Sequence, residues 1–282
     1  MCTAASYRFN GKLYFGRTLD NVCSYGEEVV LSPRSYPLWR GGGDHFAVMG
    51  MAAVKCGLPL YYDAVNEKGL CMAGLNFTSS AHYGGNESAP VKLAQYEFLP
   101  YILGTCRTVE QAVAAIKNIC VTRESFNGIP PAPLHWLISD GKRDVAAEFT
   151  REGTKVYDNA FGVLTNEPPF ESQLVNLAAH MHASADEAKN RLCPGAELPP
   201  FCSGLGGLGL PGDYSSPSRF VRAAFVRAHV LPRSGEEGLW QILLSAAVPR
   251  GCCAAKGGWQ HTMYASCIDG HAGEYGYVVG RG

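Results

Sequence analysis

Two strand-like runs near the N-terminus, Thr3–Arg8 and Lys12–Arg17, are separated by Asn10-Gly11. Asn-Gly readily supplies the two left-handed positions of a tight hairpin turn, so the runs are expected to pair antiparallel. A hairpin lays its second strand back along its first. Whatever fold the chain adopts must therefore bring Arg17 and Asp20 beside residue 2, which is a cysteine in the start Met1-Cys2-Thr3. Small second residues are those usually uncovered by removal of the initiator methionine. Cys2 would then carry a thiol and an α-amine on one carbon. The ionised thiol is a nucleophile, and an α-amine with a pKa of about 8 can act as base near neutrality. Such a residue needs no catalytic histidine. Arg17 is a fixed cation that suits a thiolate, and Asp20 is an acceptor that can orient a protonated amine. The same two residues would equally make a surface ion pair near a strand end, and the hairpin alone leaves both readings open.

The 282-residue chain is 46% hydrophobic and 17% charged, enough apolar material for a sizeable core and too little charge for disorder. A net charge of -1 without a basic run offers nothing for nucleic acid or an anionic membrane surface. No stretch approaches the roughly 18 apolar residues of a membrane helix, and no secretory signal opens the chain. A soluble cytoplasmic protein is expected. Its eleven cysteines are odd in number, scattered and without a C-x-x-C pair. They predict free, mostly buried thiols in a reducing compartment, with neither a metal centre nor a disulfide framework.

Strands are expected at 28–31, 45–50, 60–65 and 70–77, with a turn at Asn66-Glu67-Lys68-Gly69. Helices are expected over 91–103 and from Thr108 to Ile119, the latter opened by a Thr108/Gln111 capping box. Strands resume at 134–139, 145–150, 155–158 and 162–165. Further helices fall at 171–181, 218–229 and 239–247, and strands at 260–268 and 274–279 close the chain. The glycine-rich 203–209 stretch lacks the setting of a dinucleotide loop and reads as a flexible loop. Strands, then helices, then strands, without regular alternation, predict one layered α+β domain.

Four further segments join the N-terminal ones: Tyr61–Leu70 (YYDAVNEKGL), Ala73–Phe77 (AGLNF), Gly162–Asn166 (GVLTN), and Gly209-Leu210-Pro211-Gly212-Asp213 followed by Ser218-Arg219-Phe220. In this order they resemble the choloylglycine hydrolases, which comprise bile salt hydrolases and penicillin V acylases and belong to the N-terminal-nucleophile hydrolases. The resemblance runs from residue 1 to about 268. It implies an αββα sandwich of two antiparallel sheets between helical layers. It also implies roles: Cys2 as nucleophile with its α-amine as proton shuttle, Arg17 and Asp20 as the groups that bind and orient it, Asn76 and Asn166 at the oxyanion hole, and Arg219 as a second supporting cation. An amide reaching a tetrahedral intermediate does need preorganised neutral donors, which asparagine side chains supply. Turn chemistry at strand ends would account for both asparagines as well.

The resemblance further implies a homotetramer, no cofactor, and sheet-completing residues beyond the strand at Tyr275-Gly276-Tyr277. Since the sequence stops at Gly282, either a terminal piece is missing or one sheet edge is exposed. The expected activity is cleavage of glycine or taurine from conjugated bile acids. Penicillin V acylase activity stands second, because Asn76 in its Gly-Leu-Asn-Phe setting resembles the bile salt branch. A catalytically dead binding protein and an acyl transferase complete the alternatives. None of the eight histidines falls in an H-E-x-x-H pattern, and His180 and His182, two apart, are expected on different helix faces. Segments 19–23, 54–60, 129–133 and 204–206 are expected to wall an apolar substrate pocket.

Overall fold

The N-terminal hairpin forms as its turn dictates. Strands β1 (Cys2–Phe9) and β2 (Lys12–Asn21) pair antiparallel from Phe9↔Lys12 to Cys2↔Leu19. Asn10 and Gly11 close them at φ 50° and 76°, the left-handed conformation that a type I′ turn requires. The computed structural model describes residues 1–85 and 88–280. In chain order the hairpin is followed by β3 (Glu27–Ser32), β4 (Val48–Lys55), β5 (Leu58–Asn66), β6 (Cys71–Asn76), β7 (Val91–Ala94), α1 (Gln95–Thr105), α2 (Val109–Ile116) and β8 (Ile119–Thr122). Then come β9 (Leu134–Ser139), β10 (Asp144–Thr150), β11 (Gly153–Asp158), β12 (Val163–Leu164), α3 (Phe170–Ala178), α4 (Ser216–His229), α5 (Gly235–Ser245), β13 (Ala254–Ala255), β14 (Gly258–Trp259), β15 (His261–Asp269) and β16 (Glu274–Val279).

Five strands form one sheet in the order β12-β1-β2-β15-β16, and seven form a second, β11-β10-β9-β6-β5-β4-β3. Every pairing within these two sheets is antiparallel. Strands β1, β2 and β12 face β6 and β9 across the middle, α4 and α5 cover the five-stranded sheet, and α1 covers the seven-stranded one. The result is the αββα sandwich that the motifs implied.

The central strands carry few polar positions because both of their faces are buried. Along β6, Cys71, Ala73 and Leu75 point into a core shared with Phe15, Phe220 and Leu239. Met72, between them, and Leu70 just before the strand join a second core with Phe98, Trp136 and Ile138. The two-residue repeat of a strand thus feeds both cores at once. Gly16 is needed where β2 meets β15, since a Cβ there would lie 1.9 Å from the Ser266 carbonyl oxygen.

The differences from expectation are local. Residues 91–94 form a strand paired in parallel with β8 before the helix begins. Val91 and Leu93 fit either structure by pattern, and only the distant partner decides. Thr108 caps α2 by accepting from Gln111 N, but the Gln111 side chain accepts from Arg107 N, one residue short of a closed box. Helix α3 ends at Ala178, so His180 and His182 leave the helix and their rings lie 6.5 Å apart. Residues 205–207, within the expected flexible loop, make a short 3-10 turn. All eleven cysteines are free, yet only five are buried, fewer than predicted. Strand β16 forms one edge of the five-stranded sheet, with Val279 64% exposed.

Candidate active site

Cys2 occupies the first position of β1, an interior strand, and only 2% of its surface is exposed. Arg17, two positions before Cys2's partner Leu19 on β2, reaches back along the hairpin, and its Nη2 donates to Cys2 Sγ at 2.5 Å. Nη1 donates to the carbonyls of Gly74 (2.5 Å) and Tyr62 (3.1 Å), and Nε to that of Thr18 (3.3 Å). The guanidinium is therefore fixed by backbone on both sheets with one arm committed to sulfur. Burial opposes its charge, but Cys2, Tyr264, Asp63 and Asp20 outweigh burial and hold it more firmly protonated than an ordinary arginine. With Arg17 and Asp20 each 1% exposed, a surface ion pair is excluded.

Asp20 meets the N-terminal residue through its backbone. Its N–H donates to Met1 O at 2.9 Å, and its carbonyl accepts from the Met1 amine at 2.6 Å. Its carboxylate accepts from Thr262 Oγ1 (2.7 Å) and Thr18 Oγ1 (3.3 Å) and lies 3.9 Å from Arg219. A bulge between Thr262 and Tyr264 shifts the β15 register beside Asp20, as bulges do where a side chain must be re-aimed.

Asn166 follows the two-residue strand β12, which pairs with Ala4 and Ala5. Its Oδ1 accepts from Cys2 N and from Arg219 Nη2, both at 2.8 Å, and its Nδ2 donates to the Asn76 carbonyl at 2.8 Å. An arginine and a peptide N–H can only donate, so the amide oxygen must face them. Asn166 thus presents its acceptor to the Cys2 nitrogen, whereas the oxyanion role implied by the sequence calls on its donor end. Arg219 on α4 is fully buried. It also donates to Cys2 O (2.5 Å), Thr3 Oγ1 (2.6 Å) and Tyr214 O (3.0 Å). Burial pulls its affinity for the proton below the ordinary range, partly offset by Asp20 and Cys2. The Asn76 side chain is exposed at the end of β6 and lines the cavity onto which Cys2 and Arg17 open.

That cavity measures about 440 Å³ and is walled by Leu60, Leu99, Phe126, Ile129 and Leu134, with polar positions at Asn21, Asn76 and Gln95. Such size and lining suit a small, largely apolar ligand. Three of the four segments expected at the pocket contribute to it. The fourth, 204–206, turns away: Gly206 accepts from Ser184 N, and the segment packs on that loop.

Asp63 lies outside the site residues implied by the motifs; it is fully buried and accepts from Tyr264 Oη (2.6 Å), Ser266 Oγ (2.9 Å) and Tyr275 Oη (2.6 Å). Ser266 Oγ in turn accepts from Arg17 N at 3.0 Å. Burial raises the Asp63 carboxyl above the usual range, and the Arg17 charge opposes that rise. An acid inside the otherwise apolar and aromatic strand Leu58–Val65 was the one local signal available, since its hydroxyl partners lie about 200 residues away. Burial and nearby acids push Cys71 well above the ordinary thiol range, and Cys267 is pushed up to about 12.

The family model described as linear amide C–N hydrolases, choloylglycine hydrolase family, matches residues 2–280. The chain belongs to this family. Its members hydrolyse linear amide C–N bonds, and the chain is accordingly a hydrolase. A bile salt hydrolase/transferase of Lactiplantibacillus plantarum is 40% identical over 98% of this chain and 88% of its own length. The crystal structure of a mutant conjugated bile acid hydrolase from Clostridium perfringens superposes with a TM-score of 0.89 at 29% identity, covering 99% of this chain and 89% of that one. A penicillin V acylase from Agrobacterium tumefaciens has a TM-score of 0.76 at 18% identity over 99% of this chain and 83% of its own. That likeness shows a shared fold.

Proposed function

We propose that this choloylglycine hydrolase family member is a bile salt hydrolase, cleaving the amide bond between a bile acid and glycine or taurine, with Cys2 as nucleophile after loss of Met1. The observation that carries the assignment of the nucleophile is the Arg17–Cys2 contact at the floor of an apolar cavity, on a strand whose first nitrogen is held by Asn166. The bile salt reading is favoured over penicillin V acylase by the 40% identical relative, which is named for bile salts.

In this mechanism the Cys2 amine accepts the thiol proton and the sulfur attacks the amide carbon. A C–S bond forms, and the carbonyl oxygen becomes an oxyanion. The ammonium then returns its proton to the leaving nitrogen as the C–N bond breaks, releasing glycine or taurine and leaving a thioester. Water attacks the thioester, its proton passes to the amine, and the bile acid departs with the thiol restored. Asn166 Oδ1 and the Asp20 carboxylate orient the amine. Arg17 and Arg219 keep the buried site electropositive. The Asn76 side chain and the remaining Nδ2 proton of Asn166 serve the oxyanion. Attack on the thioester by an amine instead of water would give the transferase activity for which the same relative is also named. Family membership supports a cytoplasmic homotetramer, which sedimentation tests; a mass of one chain would contradict it.

The proposal is tested by measuring release of glycine and taurine from conjugated bile acids beside phenoxyacetyl release from penicillin V. Faster turnover of penicillin V would overturn it. Within the same assay, Asn166→Ala is expected to lower kcat by about 100-fold or more, the scale of one lost oxyanion donor, with a much smaller change in KM. A lower Tm with unchanged kcat per folded molecule would reduce Asn166 to a turn residue.

A further inference from the structure

His135 and Glu148 lie on neighbouring strands of the seven-stranded sheet, both fully buried and both outside the site described above. His135 Nε2 meets the Thr165 carbonyl oxygen at 2.8 Å, and Nδ1 meets Glu148 Oε1 at 3.1 Å. A carbonyl oxygen cannot donate, so Nε2 carries a proton. Nδ1 and Oε1 then share one more, and the pair is neutral overall whichever atom holds it. Glu148 Oε1 also accepts from Phe170 N at 3.0 Å, where α3 begins. Among the described residues, Glu148 Oε2 has no hydrogen-bond partner in its buried place. An acid left half-satisfied in the interior is costly, so its retention calls for a reason.

The surroundings supply one. Thr165 immediately precedes Asn166. The imidazole stacks on Phe77 with ring centres 4.3 Å apart and planes 7° from parallel, and Phe77 immediately follows Asn76. The His135 backbone pairs with Leu75, and Leu134 pairs with Asn76. Asn166 Nδ2 donates to Asn76 O. A closed circuit therefore runs from Asn76 through Phe77, the imidazole, Thr165 and Asn166 back to Asn76. Neither asparagine is fixed by regular structure alone, because β12 is two residues long and Asn76 ends its strand.

We infer that His135 and Glu148 are positioning residues for the amidase reaction, fixing Asn76 and Asn166 relative to each other across the two sheets. They touch neither the thiol nor the cavity and act through the asparagines. The inference rests on the proposed amidase activity.

His135→Phe keeps a ring to stack on Phe77 and removes both hydrogen bonds. The expected result is a fall in kcat for conjugated bile acids of tenfold or more, with KM within about twofold of wild type. The alkylation rate of Cys2 by iodoacetamide should fall far less than kcat, because the Arg17 contact with the sulfur is untouched even where Asn166 shifts against the Cys2 nitrogen. Glu148→Gln is the second variant. It preserves shape but sets an amide against Nδ1 and Phe170 N, and the same split is expected. A kcat per folded molecule equal to wild type in both variants would overturn the inference, as would slowed alkylation matching the loss of kcat. Wild-type enzyme runs in parallel: if it releases no glycine or taurine, the assigned activity fails, whereas normal wild-type turnover with unaffected variants removes only the positioning role.

Discussion

Cys2→Ser is expected to lower kcat for conjugated bile acids by about a thousandfold or more while leaving the fold intact. Serine fits the space and keeps an acceptor for Arg17 Nη2, but so little of a hydroxyl is ionised near neutrality that nucleophilic attack slows drastically. The control is Cys106→Ser. Cys106 lies at the end of α1 in the other core, so its replacement costs stability without touching the reacting atoms. Steady-state kinetics with active-site titration, corrected for folded fraction by circular dichroism, separate the effects. Comparable loss of kcat in both variants would point to folding and away from nucleophilic catalysis.

Arg17→Lys is expected to lower both activity and stability. The guanidinium serves Cys2 Sγ and three backbone carbonyls from one fixed plane. A lysine ammonium is a point charge with three donors on a flexible stem, so it cannot reproduce that fork. At least one buried carbonyl among Thr18, Tyr62 and Gly74 loses its partner, at about 1–3 kcal/mol. The charge also moves relative to the sulfur, and a loss in kcat of about 100-fold is expected from the weakened thiolate contact. Thermal unfolding and kinetics on one preparation check both parts. A stable variant with near-normal kcat would show that Arg17 is structural only.

Much of this site was legible because its core is local. Asn10-Gly11 fixes the register, and the register alone brings Arg17 toward Cys2. Asn166 and Arg219 reach the same point across 164 and 217 residues, which no local pattern encodes, and only the ordered motifs indicated them. The orientation of the Asn166 amide was not readable at all, since it depends on which donors Arg219 and Cys2 present. Thr262 was invisible for a similar reason: its contact with Asp20 depends on a bulge 242 residues downstream. Within the fold, the pattern of residues 91–94 reads as helix because the strand Val91–Ala94 gains its ladder only from Ile119–Thr122. His135 and Glu148 carry no local signal, because each is a polar position in a strand that otherwise reads as core, and their meaning lies in the circuit they close.

The central claim is that the α-amine of Cys2 is the base, and Met1 decides it. With Met1 attached, the Cys2 nitrogen is a peptide N–H that donates to Asn166 Oδ1, and it has no lone pair for a proton. The direct measurement is intact mass together with specific activity, on wild-type protein and on a variant whose second residue is bulky enough to retain Met1 ahead of an inserted Cys-Thr start. Activity confined to chains whose mass begins at Cys2 is the predicted result. Full activity in chains that still carry Met1 would contradict the mechanism.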